Sequence, residues 1–293
     1  MKWQPSVRQA FQRRPPGDSQ PLLHSMKSFL VALQLLTVLP VRITGTVGEN
    51  HLVRSTGAFV LVGMVQGMLI VAVEFVAGSL FHPNLVAALI VLALAISNGG
   101  FHLDGLADTF DGLSVKSTGD RSRDRQRRLA VMKDSVTGAI GVTAVVFAIL
   151  IKYLSVRSVA DLLPFTYYSS LLLMPAVSKW AMVAAMYHGK PARTDGLGAL
   201  FLGKVGIREV AFCSISLIVV MAAMQFAFGA FGIMQQYLMY GAALAVTYVS
   251  ARAWVALSNA RFGGLTGDTF GAIGETSDIL YLFTVLAWSR LSI

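Results

Sequence analysis

Apolar residues run through this chain in long blocks rather than in narrow stripes. Blocks near 56–80, 85–103, 136–154, 163–187, 208–232 and 237–259 approach or exceed the length of about 20 residues that spans a bilayer. A last block, 279–293, is shorter. Residues 26–40 are apolar but end at Pro40, which suits an interfacial or re-entrant helix. The pattern predicts an all-α fold: a polytopic integral membrane helix bundle of about six to seven transmembrane helices, with a short N-terminal helix. One domain, 26–293, holds these spans. Residues 1–25 carry Lys2, Arg8, Arg13 and Arg14 among Pro5, Pro15, Pro16 and Pro21. They lack the apolar core of a secretory signal and read as a basic flexible tail beside anionic lipid.

Composition agrees. The chain is 55% hydrophobic and 13% charged, against about 25% charged in soluble proteins; mean hydropathy is +0.64. A net charge of +9 would suggest nucleic acid in a soluble protein. In a membrane protein it marks loops on the cytoplasmic side, so no nucleic-acid partner is expected. Lys116, Arg121, Arg123, Arg125, Arg127, Arg128 and Lys133 crowd 113–133. Two spans later come Lys190, Arg193 and Lys204, and two spans after that Arg261. All three loops fall on one side by parity. The intervening turns, near 81–84, 155–162 and 233–236, hold a single cation, Arg157. The one cysteine, Cys213, excludes an intrachain disulfide and reads as packing.

Candidate chemistry begins directly after the second apolar block. Asp104, Asp108 and Asp111 stand at i, i+4 and i+7, on one face of a helix. Like charges beside a membrane are unfavourable unless a cation or a reaction needs them. Carboxylates without thiolates or paired histidines suit a hard cation, Mg²⁺ or Mn²⁺. A solvated acidic face and a proton path are the other readings. A second acidic group, Asp268, Glu275 and Asp278, lies among Gly263, Gly264, Gly267, Gly271 and Gly274. These glycines permit close approach of a ligand or of another helix.

Among the cations, Arg121 to Arg128 read mainly as topology determinants. Lys133, Arg193 and Lys204 sit inside glycine-bearing motifs and suit phosphate contacts. Asp134 is a further ligand or an ion-pair partner of Lys133. His102, two residues before Asp104, suits substrate contact or proton transfer. No H-E-x-x-H pair, nucleophile elbow or P-loop is present. Acids, a divalent cation and basic groups at one membrane face point to phosphoryl transfer, with a carboxylate taking the proton from an attacking hydroxyl.

The run Gly99-Gly-Phe-His-Leu-Asp-Gly-Leu-Ala-Asp-Thr-Phe-Asp-Gly112 resembles the motif of the cobalamin synthase (adenosylcobinamide-GDP ribazoletransferase) family. The likeness continues in order. Arg121-Ser-Arg-Asp-Arg precedes Val131-Met-Lys-Asp-Ser with Gly138 and Gly141. Gly196-Leu-Gly with Phe201-Leu-Gly-Lys follows, then Gly264-Leu-Thr-Gly-Asp-Thr-Phe-Gly-Ala. The matches cover about 27 to 290.

The resemblance implies a bacterial inner-membrane enzyme with its active site facing the cytoplasm and Mg²⁺ as cofactor. It would join adenosylcobinamide-GDP to α-ribazole or its 5′-phosphate and release GMP. It makes Asp104 the first metal ligand, with Asp108 and Asp111 beside it, and matches Asp268 and Glu275 to the C-terminal acidic motif. Asp104, Asp108, Asp111 and His102 are the catalytic candidates. Lys133, Arg193, Lys204, Gly264, Thr266 and Gly267 are the substrate-binding candidates. The family more often has Glu where Asp278 stands, and Phe110 receives no role. Two other readings are a CDP-alcohol type phosphotransferase, whose acid-and-glycine spacing is not matched, and a cation or corrinoid transporter, which would place its acids near mid-membrane. A homo-oligomer is left open.

Overall fold

A computed structural model describes residues 21–43, 46–228 and 233–291; the expectation for residues 1–20 lies outside them. Twelve α-helices and one 3₁₀ turn, Thr56–Ala58, are described; the α-helices are numbered in chain order. They are α1 (Pro21–Leu36), α2 (Glu49–Ser55), α3 (Phe59–Gly78), α4 (Pro83–Ser97), α5 (Phe101–Ser114), α6 (Arg121–Val131), α7 (Ala139–Val159), α8 (Pro164–His188), α9 (Leu197–Phe201), α10 (Ile207–Phe228), α11 (Ile233–Arg261) and α12 (Gly267–Leu291). Six helical runs are long and apolar enough to cross a membrane. The α4–α5 pair, bent by 85°, makes a seventh if counted as one broken span. Among the described residues there is no strand, only an isolated bridge between Pro191 and Leu265.

Three boundaries differ from expectation, the first being the block expected over 85–103, which stops at Ser97 and turns by 85° into α5. The N-terminal helix starts at Pro21, inside the stretch read as tail; proline is accommodated at the first position of a helix. The last block, expected over 279–293, is a full helix from Gly267. Its glycine-rich start forms a packing surface, and the turn between α11 and α12 shrinks to 262–266. The basic loops are also more ordered than their composition suggests. The Asp120 carboxylate accepts from Ser122 N and Arg123 N and caps α6.

Helix α8 is central, with most of its residues buried. Its neighbour α3 approaches it backbone to backbone: a Cβ on Gly67 would lie 2.2 Å from the Leu172 carbonyl oxygen. Such glycine contacts replace the hydrophobic drive that lipid cannot supply. Cys213 is buried and its thiol meets the Thr56 and Gly57 carbonyls at 3.2 and 3.1 Å, a packing role. Helix α10 presents Phe212, Ile215, Ile218 and Val219 outward, as a lipid-facing helix does.

Candidate functional site

The α4–α5 corner positions the first acids. Gly99 and Gly100 both have positive φ, +64° and +74°, where a side chain is strained. The Asn98 side chain accepts from Gly100 N at 3.0 Å and closes the turn. Helix α5 then leaves at 85° to α4. It buries His102, Gly105, Leu106, Thr109 and Asp111 and leaves Asp104 exposed and Asp108 half-buried.

Helix α5 crosses the start of α12 with the two backbones touching. A Cβ on Gly105 would lie 2.5 Å from the Asp268 carbonyl oxygen, and one on Gly271 would lie 2.7 Å from that of His102. This crossing brings Asp268 beside Asp104 and Asp108, close enough for their charges to interact. Thr266 and Thr269 bond reciprocally around the first turn of α12. The Thr266 hydroxyl also donates to Asp268 Oδ2 at 3.2 Å.

Arg193 supplies the opposite charge. Its Nη2 donates to Asp268 Oδ2 at 3.2 Å, while its buried Nη1 has no protein partner. An orphan guanidinium donor is costly unless a ligand oxygen meets it. The strap carrying Arg193 is pinned to the turn before α12. Ala192 N donates to Leu265 O and Leu265 N to Lys190 O. Gly264 is required there, since a Cβ would strike the Lys190 carbonyl at 2.4 Å. From α6, Arg125 donates to Ala192 O at 2.6 Å. The three basic loops therefore do meet.

Several predicted residues stand elsewhere. Asp111 lies beneath the N-terminus of α7, where its oxygens accept from Gly138 N at 2.7 Å and Gly141 N at 2.8 Å. A Cβ on either glycine would collide with it. It anchors a helix rather than joining the open acids. Glu275 is buried with Asp278 against Lys152 Nζ, at 2.7 and 2.8 Å. Two turns of helix, about 10 Å, separate it from Asp268. His102 faces inward, between Asn98 and the buried Lys179. Lys133 pairs with Asp195 at 2.6 Å on the exposed rim, and Asp134 caps the Val136 amide. Lys204 pairs with Glu49 of α2. Gly267 lies under Gly198, whose Cβ would be 3.0 Å from its amide nitrogen.

Sequence reasoning missed Lys152 and Lys179. Both are single cations within apolar blocks, and an ionisable group in a span signals a buried partner or a function.

Asp104, Asp108, Asp268 and Arg193 form a half-open pocket of oxygen donors with one cationic donor. Among the described residues no group of three or more His, Cys, Asp and Glu is placed to hold a metal ion, so a cation here would rest on one or two carboxylates. The open set fits a cation that keeps water and substrate oxygens in its shell, as Mg²⁺ does.

A family model for cobalamin-5-phosphate synthase matches residues 28–286. Relatives named adenosylcobinamide-GDP ribazoletransferase align over nearly their whole length. That of Thermodesulfovibrio yellowstonii is 32% identical over 265 residues, 90% of this chain and 97% of its own. That of Geotalea daltonii is 35% identical over 270 residues, 89% and 98%. That of Thermoanaerobacter pseudethanolicus is 32% identical over 268 residues, 91% and 100%. No solved structure matches.

Proposed function

The chain belongs to the cobalamin-5-phosphate synthase family, and from that premise we propose that it is an adenosylcobinamide-GDP ribazoletransferase. The family places it among the transferases of cobalamin biosynthesis. The reaction we assign joins adenosylcobinamide-GDP to α-ribazole or its 5′-phosphate. A ribose hydroxyl oxygen bonds to the cobinamide-linked phosphorus, the bond from that phosphorus to GMP breaks, and the hydroxyl proton passes to a carboxylate.

The observation that carries this reading is the meeting of Asp104 and Asp108 with Asp268, beside an Arg193 Nη1 that no protein group satisfies. Arg193 binds a phosphate oxygen through Nη1 while Asp268 holds its Nη2 and fixes the plane of the guanidinium. Asp104 and Asp108 lie on one face of α5, and either can accept the hydroxyl proton. One or two of Asp104, Asp108 and Asp268 would hold Mg²⁺ together with water and substrate oxygens, and the ion when bound would neutralise phosphate charge and stabilise the leaving group. The Lys133–Asp195 pair marks the rim, where a long anionic substrate enters. The pocket shares its side with the basic loops, and that charge bias supports a site facing the cytoplasm from a bacterial inner membrane.

The test is direct. Purified protein in lipid receives adenosylcobinamide-GDP and either form of ribazole, with Mg²⁺ or a chelator, and products are weighed by mass spectrometry. GMP together with a cobalamin or its 5′-phosphate, formed only with Mg²⁺, is the expected result. GMP release with no new corrinoid, or full activity under chelation, overturns the reading in its substrate or its metal.

A further inference from the structure

A second cationic site lies outside the acid pocket, on the flank of the bundle where α8 and α11 meet. Helix α11 is 29 residues long, about 43 Å at 1.5 Å per residue. The hydrocarbon core is about 30 Å thick, and the end of α11 that carries Arg252 and Arg261 leads through 262–266 to Asp268. The surplus therefore emerges on the acid side. Arg252 precedes the last residue, Arg261, by nine positions, about 13 Å. That depth is the headgroup level of the leaflet carrying the acid pocket. His188 ends α8 at the same level and touches Arg252.

Arg252 is exposed in an apolar stripe that includes Val246, Val249 and Ala253. Among the described residues no carboxylate lies within ion-pair distance of it. Its Nη1 is 3.2 Å from His188 Nδ1, and His188 Nε2 is 2.9 Å from the Tyr248 hydroxyl. Arginine can only donate, so His188 Nδ1 is the acceptor and Nε2 carries the proton. Nε2–H then donates to the Tyr248 oxygen, which leaves the Tyr248 hydroxyl hydrogen directed to an outside acceptor. The relay thus aligns two outward donors, the rest of the Arg252 fork and Tyr248 O–H. The exposed Lys190 stands two residues beyond His188. Tyr187 and Trp180 flank the group, with ring centroids 4.9 Å from His188 and 6.1 Å from Tyr248. Amphipathic rings gather at this depth in membrane proteins.

We infer that Arg252 and Tyr248, aligned by His188, bind the headgroup phosphate of an anionic phospholipid. The occupant follows from position and charge: the donors open sideways toward lipid, and a cation there needs an anion that lipid can bring. The site lies at the root of the strap that carries Arg193 to Asp268. An ordered lipid there holds that strap from below.

The test reads lipid binding and needs no turnover, so it stands apart from the assigned reaction. Full-length protein is placed in nanodiscs of equal phosphatidylglycerol and phosphatidylcholine, then released and examined by native mass spectrometry. Wild type is expected to retain phosphatidylglycerol over phosphatidylcholine by about tenfold or more, the scale of one charge-assisted hydrogen-bonded contact. Arg252→Gln loses that preference, and Arg290→Gln, at the far end of α12, keeps it. Tyr248→Phe removes only a hydroxyl, leaves the helices packed and lowers the preference by about threefold. Equal retention by wild type, Arg252→Gln and Tyr248→Phe overturns the proposal. So does displacement of the lipid by millimolar inorganic phosphate, which would make this a site for soluble anions.

Discussion

Gly105 and Asp268 touch through their backbones: a Cβ at position 105 would lie 2.5 Å from the Asp268 carbonyl oxygen. The contact joins a helix that begins just after residue 100 to one that begins near the end of the chain. It sets the separation between the acids of α5 and Asp268. Gly105→Ala must push the helices apart, and overpacking of this kind costs about 1–3 kcal/mol. The variant is expected to insert and fold with a lowered melting temperature in detergent. A displacement of about 1 Å at the pocket lowers turnover by roughly 10²-fold, read as GMP release.

Lys152 holds two buried carboxylates, Glu275 and Asp278. Removing it leaves uncompensated charge in the bundle, and breaking a buried pair costs about 3–5 kcal/mol. Lys152→Met should sharply lower thermal stability. The triple change Lys152→Met, Glu275→Gln, Asp278→Asn removes all three charges and should recover most of the loss. A triple variant as unstable as the single one would show that charge balance is not the role of this cluster.

Asp111 distinguishes an anchor from a ligand. Asp111→Ala removes two charge-assisted bonds to α7, each worth about 1.5–3 kcal/mol. Faster hydrogen exchange at the Gly138 and Gly141 amides is expected, with Mg²⁺ affinity unchanged. Weaker Mg²⁺ binding with unchanged exchange would return Asp111 to the metal.

Arg193 uses its planar fork, one arm on Asp268 and one open. Arg193→Lys keeps the charge and loses that geometry. Turnover is expected to fall by about 10–10²-fold, one to two charge-assisted contacts. Near wild-type activity would assign the phosphate contact elsewhere.

The 115–120 loop has its own acid dependence. The Ser117 hydroxyl, with the Thr118 amide and hydroxyl, donates to Asp124 and holds its carboxyl down to about 2. A depressed value stabilises the folded loop above the ordinary Asp range near 3.9. The contribution is lost as pH falls toward about 2. Protection of the Thr118 amide should persist at pH 5 and fade below about 3, while Asp124→Asn lacks it throughout.

Much of this was legible in the residues. Uninterrupted apolar blocks and the bias of Lys and Arg gave most of the spans and the shared side of three loops, because bilayer length and loop charge act locally along the chain; the 85–103 block breaks at Ser97. Asp268 and the acids of α5 could be grouped by that shared side. Helical phase misled for Asp111 and Glu275. Each keeps the face of its neighbours but lies about 10 Å along the axis, where α7 or Lys152 takes the carboxylate. A shared helical angle grouped these carboxylates, while the rise between them, equally fixed by the spacing, set them among different neighbours. The glycines near Asp268 were ambiguous between ligand approach and helix packing; Gly105, Gly264 and Gly271 are packing contacts that build the pocket. Lys152 and Lys179 were passed over because a single cation in an apolar run reveals its partner only in three dimensions.

The central claim is that Asp104 acts at a pocket shared with Asp268 to transfer a substituted phosphate group. The most direct measurement is GMP release from adenosylcobinamide-GDP by lipid-embedded Asp104→Asn, beside wild type, with insertion and melting temperature checked in the same preparations. The account predicts a folded, inserted variant without detectable GMP or new corrinoid. Turnover at the wild-type rate by that variant would contradict it.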